Sequence, residues 1–465
     1  MIYANILLEK FIIGRILHQL PFEPNEGQRV VLEHLSRFLV DSTQEKLFLL
    51  RGYAGTGKTS LVSALVRTME SLHQPCVLLA PTGRAAKVIA RYSGFPAYTI
   101  HKFIYRQERM GAESYSLTDN KYMHVLFIVD EASMISTERD NPTFGTGCLL
   151  DDLIRFVYSG QGCSLLLLGD DAQLPPVGQS SSLALSADYL QGYGLKVTEA
   201  ILTEVARQAL DSGILRNATQ MRQQLQEEQD YDIHILQDTD IETHIGEDVQ
   251  ELIEESYRKV GVEDTIILTR SNRRTNLYNQ GVRARLLWRE EELCNGDRLM
   301  VSKNNYFWTE QYDNLPFLAN GDMLEVVRLR NEREMYGFHF VDVSLRALDY
   351  DWEIDAVLWL ETLKTDSPDQ NYNLQKELWA RIAEDYPEIK NKRELWKQIM
   401  ASPYYNALQA RFAYAVTCHK AQGGQWRHVY IDPGPVPDED RNREYLRWYY
   451  TALTRATEQV YILNT

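Results

Sequence analysis

The stretch Leu47 to Val62, LFLLRGYAGTGKTSLV, constrains this chain more than any other. Leu47 to Leu50 is a short apolar run, suited to a strand buried on both faces of a parallel sheet, and Thr59 to Val66 has the spacing of a helix packed on that sheet. Between them, Gly52 to Thr59 fits G-x-x-x-x-G-K-[ST] at every position. In such a loop Gly55, Thr56 and Gly57 let backbone N–H groups turn inward around phosphate oxygens, and the following helix adds the positive end of its dipole. Lys58 is placed to reach the β- and γ-phosphates, and the Thr59 hydroxyl to take a position on Mg²⁺. ATP and Mg²⁺ are therefore the expected ligands, and the rest of the chain must say what the phosphate energy is for.

With 465 residues the chain has room for two to four domains at roughly 150 residues each. A content of 44% hydrophobic and 25% charged residues is that of an ordinary globular protein. The N-terminal ANILLEKFIIGRIL is interrupted by Glu9, Lys10 and Arg15, too charged for a secretion signal or a membrane span, and reads as an amphipathic helix on the first domain. A cytoplasmic protein of bacterial or phage type, without a membrane partner, is the expectation. Cys76, Cys148, Cys163, Cys294 and Cys418 show no paired spacing, which argues against a disulfide framework or a zinc site. The net charge of −16 argues against wholesale coating of nucleic acid but leaves room for a local basic groove.

Short apolar runs ending in polar residues recur: CVLLAPT, VLFIVDE, SLLLLGDDAQ, TIILTRSN, FAYAVTCHKAQG, HVYID and QVYILNT. Alternating with helical stretches, they indicate an α/β protein with doubly wound parallel sheets, whose functional residues gather past the carboxyl ends of the strands. The runs fall into two sets, which predicts a first α/β domain over 1–200 and a second over 201–302 and 411–465. The texture of 303–410 differs. Half-buried antiparallel strands are followed there by the charged helical stretch NLQKELWARIAEDYPEIKNKRELWKQIM, which reads as a β-barrel-like and helical insertion with a possible protein-partner surface. A shorter insertion, 104–123, has the polar centre of an exposed hairpin. Within 303–410, the cluster NNYFW reads as core more than as a base-stacking platform.

In FIVDEASMI, Asp130 ends a buried strand, as a carboxylate holding Mg²⁺ must, and Glu131 is placed to orient or deprotonate water. In LLGDDAQLPPVG, Gln173 could sense the γ-phosphate or its water, while Pro175, Pro176 and Gly178 stiffen the turn. Arg455 in YYTALTRATEQV and Arg207 in LTEVARQ could reach across a cleft to a transferring phosphoryl group, whose spread charge fixed guanidinium groups stabilise. Taken alone, either arginine reads first as a surface ion pair, which spacing does not exclude.

The ordered set NEGQ, GYAGTGKTS, APTGRAAK, TIHKF, VDEAS, GDDAQLPPVG, LTEVARQ, TCHKAQGGQW and YYTALTRA resembles the superfamily 1 DNA helicases, in particular the RecD- and Dda-like branch that moves 5′ to 3′. The resemblance runs from about residue 25 to the C-terminus. It implies two RecA-like P-loop domains, with the 104–123 hairpin as a strand-splitting pin and the 303–410 insertion as a brace or clamp. It also implies that Gln28 reads the adenine edge, that Arg207 and Arg455 are arginine fingers, and that Gly424 and Gln425 lie near the γ-phosphate. Pro81, Thr82, Arg84, His101 and Lys102 would line the strand track in the first domain, and Thr417, His419 and Lys420 in the second. Hydroxyls, backbone N–H groups and a few cations grip phosphates without reading bases, so the set is physically sensible. For the pin, Tyr105, Met110 and Tyr115 all remain candidates for the wedge.

The expected activity is ATP-dependent translocation on single-stranded DNA with separation of duplex at junctions, by a monomer. An RNA helicase of the same superfamily is the nearest alternative, since backbone gripping tolerates either sugar unless a residue meets the 2′-OH. An ATP-gated DNA-binding scaffold is another, although it would not need Lys58, Asp130, Glu131, Gln173, Arg207 and Arg455 together. No second acid cluster has a spacing that suits a nuclease.

Overall fold

The computed structural model describes residues 2–107, 115–139, 144–204, 212–227, 231–244, 249–309, 312, 317–350 and 352–463. Its first sheet is six-stranded and parallel throughout, in the spatial order Ala97–Thr99, Cys76–Ala80, Leu126–Val129, Ser164–Gly169, Lys46–Gly52, Lys196–Leu202. Leu126–Val129 and Ser164–Gly169 are buried at every residue, as strands covered on both faces must be. The two-residue period divides their side chains. Leu47, Leu49, Phe127, Val129, Leu165 and Leu167 meet the helix Leu149–Ser159 on one face, while Phe48, Leu50, Ile128, Leu166 and Leu168 meet the helices Glu26–Val40 and Lys58–Ser71 on the other. The N-terminal helix Ile2–Gln19 joins that second layer through Ile12 and Ile16.

The second sheet is five-stranded and parallel, in the order Ala415–Thr417, Thr265–Thr269, Trp426–Asp432, Ala456–Leu463, Ile241–His244. The helix Arg443–Leu453 runs between its last two long strands and is buried over nearly its whole length, because it faces both its own sheet and the first domain.

The third sheet is antiparallel, in the order Glu353–Trp359, Phe338–Ala347, Met323–Met335, Arg298–Val301, Ala410–Phe412. Its two outer strands approach each other through Leu408: the Trp359 N–H donates to Leu408 O at 3.1 Å and the Leu408 N–H to Val357 O at 2.7 Å. That closes the sheet into a small barrel. The barrel takes in Arg298–Val301 and Ala410–Phe412, a few residues to either side of the 303–410 segment predicted from texture. The helices Pro368–Ala383 and Lys392–Met400 pack on it through Leu378, Ile382 and Ile399 against Phe340 and Trp359.

A two-stranded hairpin, Tyr105–Gln107 with Tyr115–Leu117, leaves the first domain. Tyr105 and Tyr115 are buried at its base, where Tyr115 meets Tyr306 and Phe317 of the barrel segment at ring separations of 4.9 and 5.9 Å. Neither is a projecting wedge. Met110 lies outside the described residues. Of the NNYFW cluster, Tyr306 is half-buried in this contact and Trp308 donates its indole N–H to Asn406 O, in keeping with a packing role. Among the described residues, no helix is long and apolar enough to cross a membrane.

Candidate active site and strand cleft

The loop after Lys46–Gly52 turns through two left-handed glycines, Gly55 at φ 72° and Gly57 at φ 87°, a region that side-chain-bearing residues disfavour. A Cβ on Gly57 would stand 2.7 Å from Gln28 Nε2. Gln28 itself is almost wholly buried: its Oε1 accepts from the Asn25 N–H at 3.1 Å, closing a capping box, and its Nε2 donates to Thr56 O at 2.9 Å. Its carboxamide thus braces the phosphate loop from behind, where the sequence had it reading an adenine edge. Lys58 folds its ammonium onto the loop carbonyls of Gly52 and, at 2.8 Å, Tyr53.

Asp130 follows the strand Leu126–Val129, and Glu131 sits directly after it with a left-handed φ of 51°. For a non-glycine residue this conformation costs about 1–2 kcal/mol, the kind of local strain that aims a side chain. The Glu131 N–H donates to Asp130 Oδ1 at 2.9 Å. Removal from water, with repulsion from Glu131, pushes the Asp130 carboxyl up to about 6, against the opposing pull of Lys58 and Arg455. Arg455, from the second domain, brings Nη1 to 3.7 Å from Glu131 Oε1 and is 4% exposed. Its guanidinium is aimed by donation to Thr451 O at 3.1 Å and Gly424 O at 3.3 Å, which sets Gly424 beside this arginine. Gln173 is buried, with an Oε1 that has no hydrogen-bond partner. Arg207 lies outside the described residues.

No group of three or more His, Cys, Asp or Glu side chains is arranged to hold a metal among the described residues. The donor set instead offers two oxygens, the Thr59 hydroxyl at the start of the helix Lys58–Ser71 and the Asp130 carboxylate. That is the fit for Mg²⁺, which keeps most of its shell for water and phosphate.

On the other side of the domain junction, Pro81, Thr82, Arg84 and His101 of the first domain meet His419 and Lys420 of the second and Asn304, Asn320 and Asp322 of the barrel around one cleft. Thr82 caps the helix Gly83–Ser93, its Oγ1 accepting from the Ala85 N–H at 3.2 Å. Thr417 stands at the N-cap of the short helix Cys418–Ala421 without a capping hydrogen bond of its side chain. Lys420 reaches Asn320 Oδ1 at 2.8 Å. His101 packs edge-on against Phe144 at 5.0 Å, and burial lowers its pKa to about 4, so it lines the cleft as a neutral ring.

Two expected ligands stand elsewhere. Lys102 does not face the cleft as a phosphate contact. Its ammonium lies 4.1 Å from the Tyr350 ring centroid, 5.1 Å from Trp352 and 5.8 Å from Phe317, with Asp322 Oδ2 at 3.7 Å, so it ties the first domain to the barrel. Gln425 does not face the phosphate loop. It is exposed beside the helix Gly83–Ser93, where its Oε1 accepts from Tyr92 at 3.2 Å and its carbonyl from Arg84 Nη2 at 3.4 Å. The nearby Arg84 guanidinium stacks over the Trp426 ring at 4.1 Å. Sequence reading also passed over Asp170, Gln422 and Tyr450, whose signal was only their place inside motifs already singled out.

Fold and site together define a P-loop ATPase with two parallel-sheet domains, an arginine crossing between them and a second cleft lined from both. The model of the AAA domain family matches residues 23–241, and that of the UvrD-like helicase C-terminal domain matches residues 412–463. An uncharacterised protein of Acanthamoeba polyphaga mimivirus is 23% identical over 94% of this chain and 99% of its own length. The ATP-dependent RecD2 DNA helicase of Deinococcus radiodurans is 29% identical over 42% of this chain and 24% of its own length, and the ATP-dependent DNA helicase dda of Enterobacteria phage T4 is 28% identical over 37% of each. A solved structure of Pif1 helicases at forked DNA aligns over 96% of this chain and 92% of its own, at 15% identity and a TM-score of 0.49. The chain thus spans well under half the length of the curated helicases it matches. Over these stretches the chain is similar to superfamily 1 helicases of the RecD- and Dda-like group.

Proposed function

We propose that this chain translocates 5′ to 3′ on single-stranded DNA and separates duplex, driven by opening and closing of the cleft between its two α/β domains. One observation carries this reading: the stretch 422–426 touches both working sites. Gln422 Nε2 donates to Leu174 O at 2.7 Å in the loop bearing Gln173, Gly424 O holds Arg455, and Trp426 receives Arg84 at the strand cleft. A displacement at one site is therefore felt at the other within five residues of chain.

ATP is the substrate whose hydrolysis drives the cycle, and Thr59 and Asp130 are the residues that would hold its Mg²⁺. Glu131, held against Arg455, takes the proton of the attacking water. Lys58 and Arg455 stabilise charge on the transferring group. Because Arg455 and Glu131 belong to different domains, their pairing is strongest when the cleft is shut, and its loss favours opening. Pro81, Thr82 and Arg84 grip the strand backbone from one domain while Thr417, His419 and Lys420 do so from the other, and the barrel roofs the cleft. Two grips whose separation changes with the cleft advance a strand by about one nucleotide per cycle, provided that their affinities alternate.

The test is ATP hydrolysis with and without oligo(dT), for the parent chain and Lys58→Ala. Hydrolysis that rises several-fold with the oligonucleotide and vanishes in the variant supports the reading. Hydrolysis indifferent to any nucleic acid refutes it.

A further inference from the structure

The helix Arg443–Leu453 presses several side chains onto the first domain, and one of them has no part in the chemistry above. The Tyr450 ring is 1% exposed, yet its hydroxyl ends between two loops of the opposite domain. It accepts from the Ala54 N–H at 2.9 Å and donates to Asp170 Oδ2 at 2.6 Å. Ala54 is the third residue of the phosphate loop, and Asp170 is the first acid of GDDAQLPPVG. Asp170 is buried beside Lys58, and its Oδ1 accepts from the Ala172 N–H at 3.0 Å. The neighbouring Thr451 accepts from the Leu174 N–H at 2.8 Å, so the loop that carries Gln173 is held at both ends by the same helix.

A hydroxyl that accepts on one side and donates on the other is a two-ended spacer, since loss of either partner leaves the other bond without its aim. No other described side chain of the second domain hydrogen-bonds to a main-chain N–H of the Gly52–Thr59 loop. We propose that Tyr450 is a positioning residue for ATP turnover: through this hydroxyl the second domain holds the phosphate loop and the Asp170–Gln173 loop in mutual register. The proposal rests on the ATPase reading above but not on translocation. Tyr450 acts through the Ala54 amide and the Asp170 carboxylate.

The test compares Tyr450→Phe, Asp170→Asn and the double variant with the parent chain, in steady-state ATP hydrolysis with and without oligo(dT) and in thermal melting. Tyr450→Phe keeps the buried ring and removes both bonds. It is expected to leave Tm within roughly 3 °C and the KM for ATP within about twofold of the parent while lowering kcat roughly tenfold, the weight of one hydrogen bond to a charged group. The double variant should lose no more kcat than Asp170→Asn alone, because the two residues form one unit. A kcat within about twofold of the parent, a raised KM with kcat intact, or multiplicative losses in the double variant would each overturn the proposal. Should Tyr450→Phe melt early, Asp170→Asn carries the same kcat-against-KM test. A parent chain that hydrolyses ATP without responding to oligo(dT) counts against translocation alone, while the split between kcat and KM still decides the role of Tyr450.

Discussion

Replacing Lys102 by Met separates the two roles open to this side chain. In the structure the Lys102 side chain is 9% exposed and its ammonium sealed from solvent, caged by Tyr350, Trp352 and Phe317 and 3.7 Å from the carboxylate of Asp322, a side chain itself 5% exposed. A unit charge pair at that distance interacts by about 4 kcal/mol at the effective dielectric of roughly 20 that suits protein sites. Methionine keeps the stem and removes the charge, leaving Asp322 buried without its cation. Burial already holds the Asp322 carboxyl above its ordinary range, with Lys102 opposing, so the variant drives it further towards the neutral form. Protonation caps the loss at about 3 kcal/mol, within the range for breaking a buried pair, which lowers Tm by roughly 3 °C if the chain melts as a unit. The assay pairs melting with the salt dependence of oligo(dT) binding. A side chain that neutralises one strand phosphate contributes about 0.7 to the slope of log K against log salt. Lys102→Met should leave that slope unchanged and melt early, whereas Lys420→Ala, solvent-facing in the cleft, should reduce the slope by about 0.7 and melt normally. Lys102→Met/Asp322→Asn should recover part of the Tm. A Lys102→Met protein that melts like the parent and loses a full phosphate contact from the slope would refute this placement.

Three further outcomes follow from the site. Lys58→Ala should abolish measurable ATP hydrolysis, a loss of at least roughly 10³-fold, while circular dichroism and Tm stay close to the parent, because its ammonium bonds only loop carbonyls. Arg455→Ala should lower kcat by about 10²–10³-fold with a small change in KM, and Arg455→Lys should restore little, since a lysine cannot span Thr451 O, Gly424 O and Glu131 together. The raised Asp130 carboxyl predicts an acid limb in kcat/KM near pH 6: the ionised form is the one that would hold Mg²⁺ in the proposed cycle, so activity should fall as pH drops through that value, and rising Mg²⁺ should move the limb to lower pH. For folding the sign is opposite. A carboxyl whose folded pKa is raised from 3.8 to about 6 favours the folded state most below pH 4 and loses that contribution as pH rises through 6.

Much of this architecture was legible because parallel strands covered on both faces must be apolar throughout, and Leu47–Leu50 and Leu165–Leu168 could hardly be anything else. The phosphate loop, Asp130, Glu131 and Arg455 were legible for a related reason: each sits at a strand end or helix end whose position the apolar runs already fix. What local spacing does not encode is which face of a motif meets another domain. TIHKF reads as a strand-gripping motif, yet its lysine turns towards Tyr350 and Trp352, more than 240 residues away in sequence. Gln425 and Gly424 are adjacent, but successive carbonyls turn opposite ways, that of Gly424 to Arg455 and that of Gln425 to Arg84. Tyr105 and Tyr115 flank a polar stretch and read as candidates for an exposed tip, while aromatic partners at 144, 306 and 317 bury them at the base. Tyr450 lies inside YYTALTRA but was passed over because a tyrosine in an apolar helix is usually core, and its two hydrogen bonds across the junction are what distinguish it.

The most direct test of the central claim is ATP-dependent strand separation on matched duplexes bearing either a 5′ or a 3′ single-stranded tail, prepared as DNA and as RNA, with Lys58→Ala as control. The account predicts unwinding of the 5′-tailed DNA, none of the 3′-tailed duplex, and none with the variant. Strand-stimulated hydrolysis with no separation of any substrate, or separation only from a 3′ tail, would contradict it.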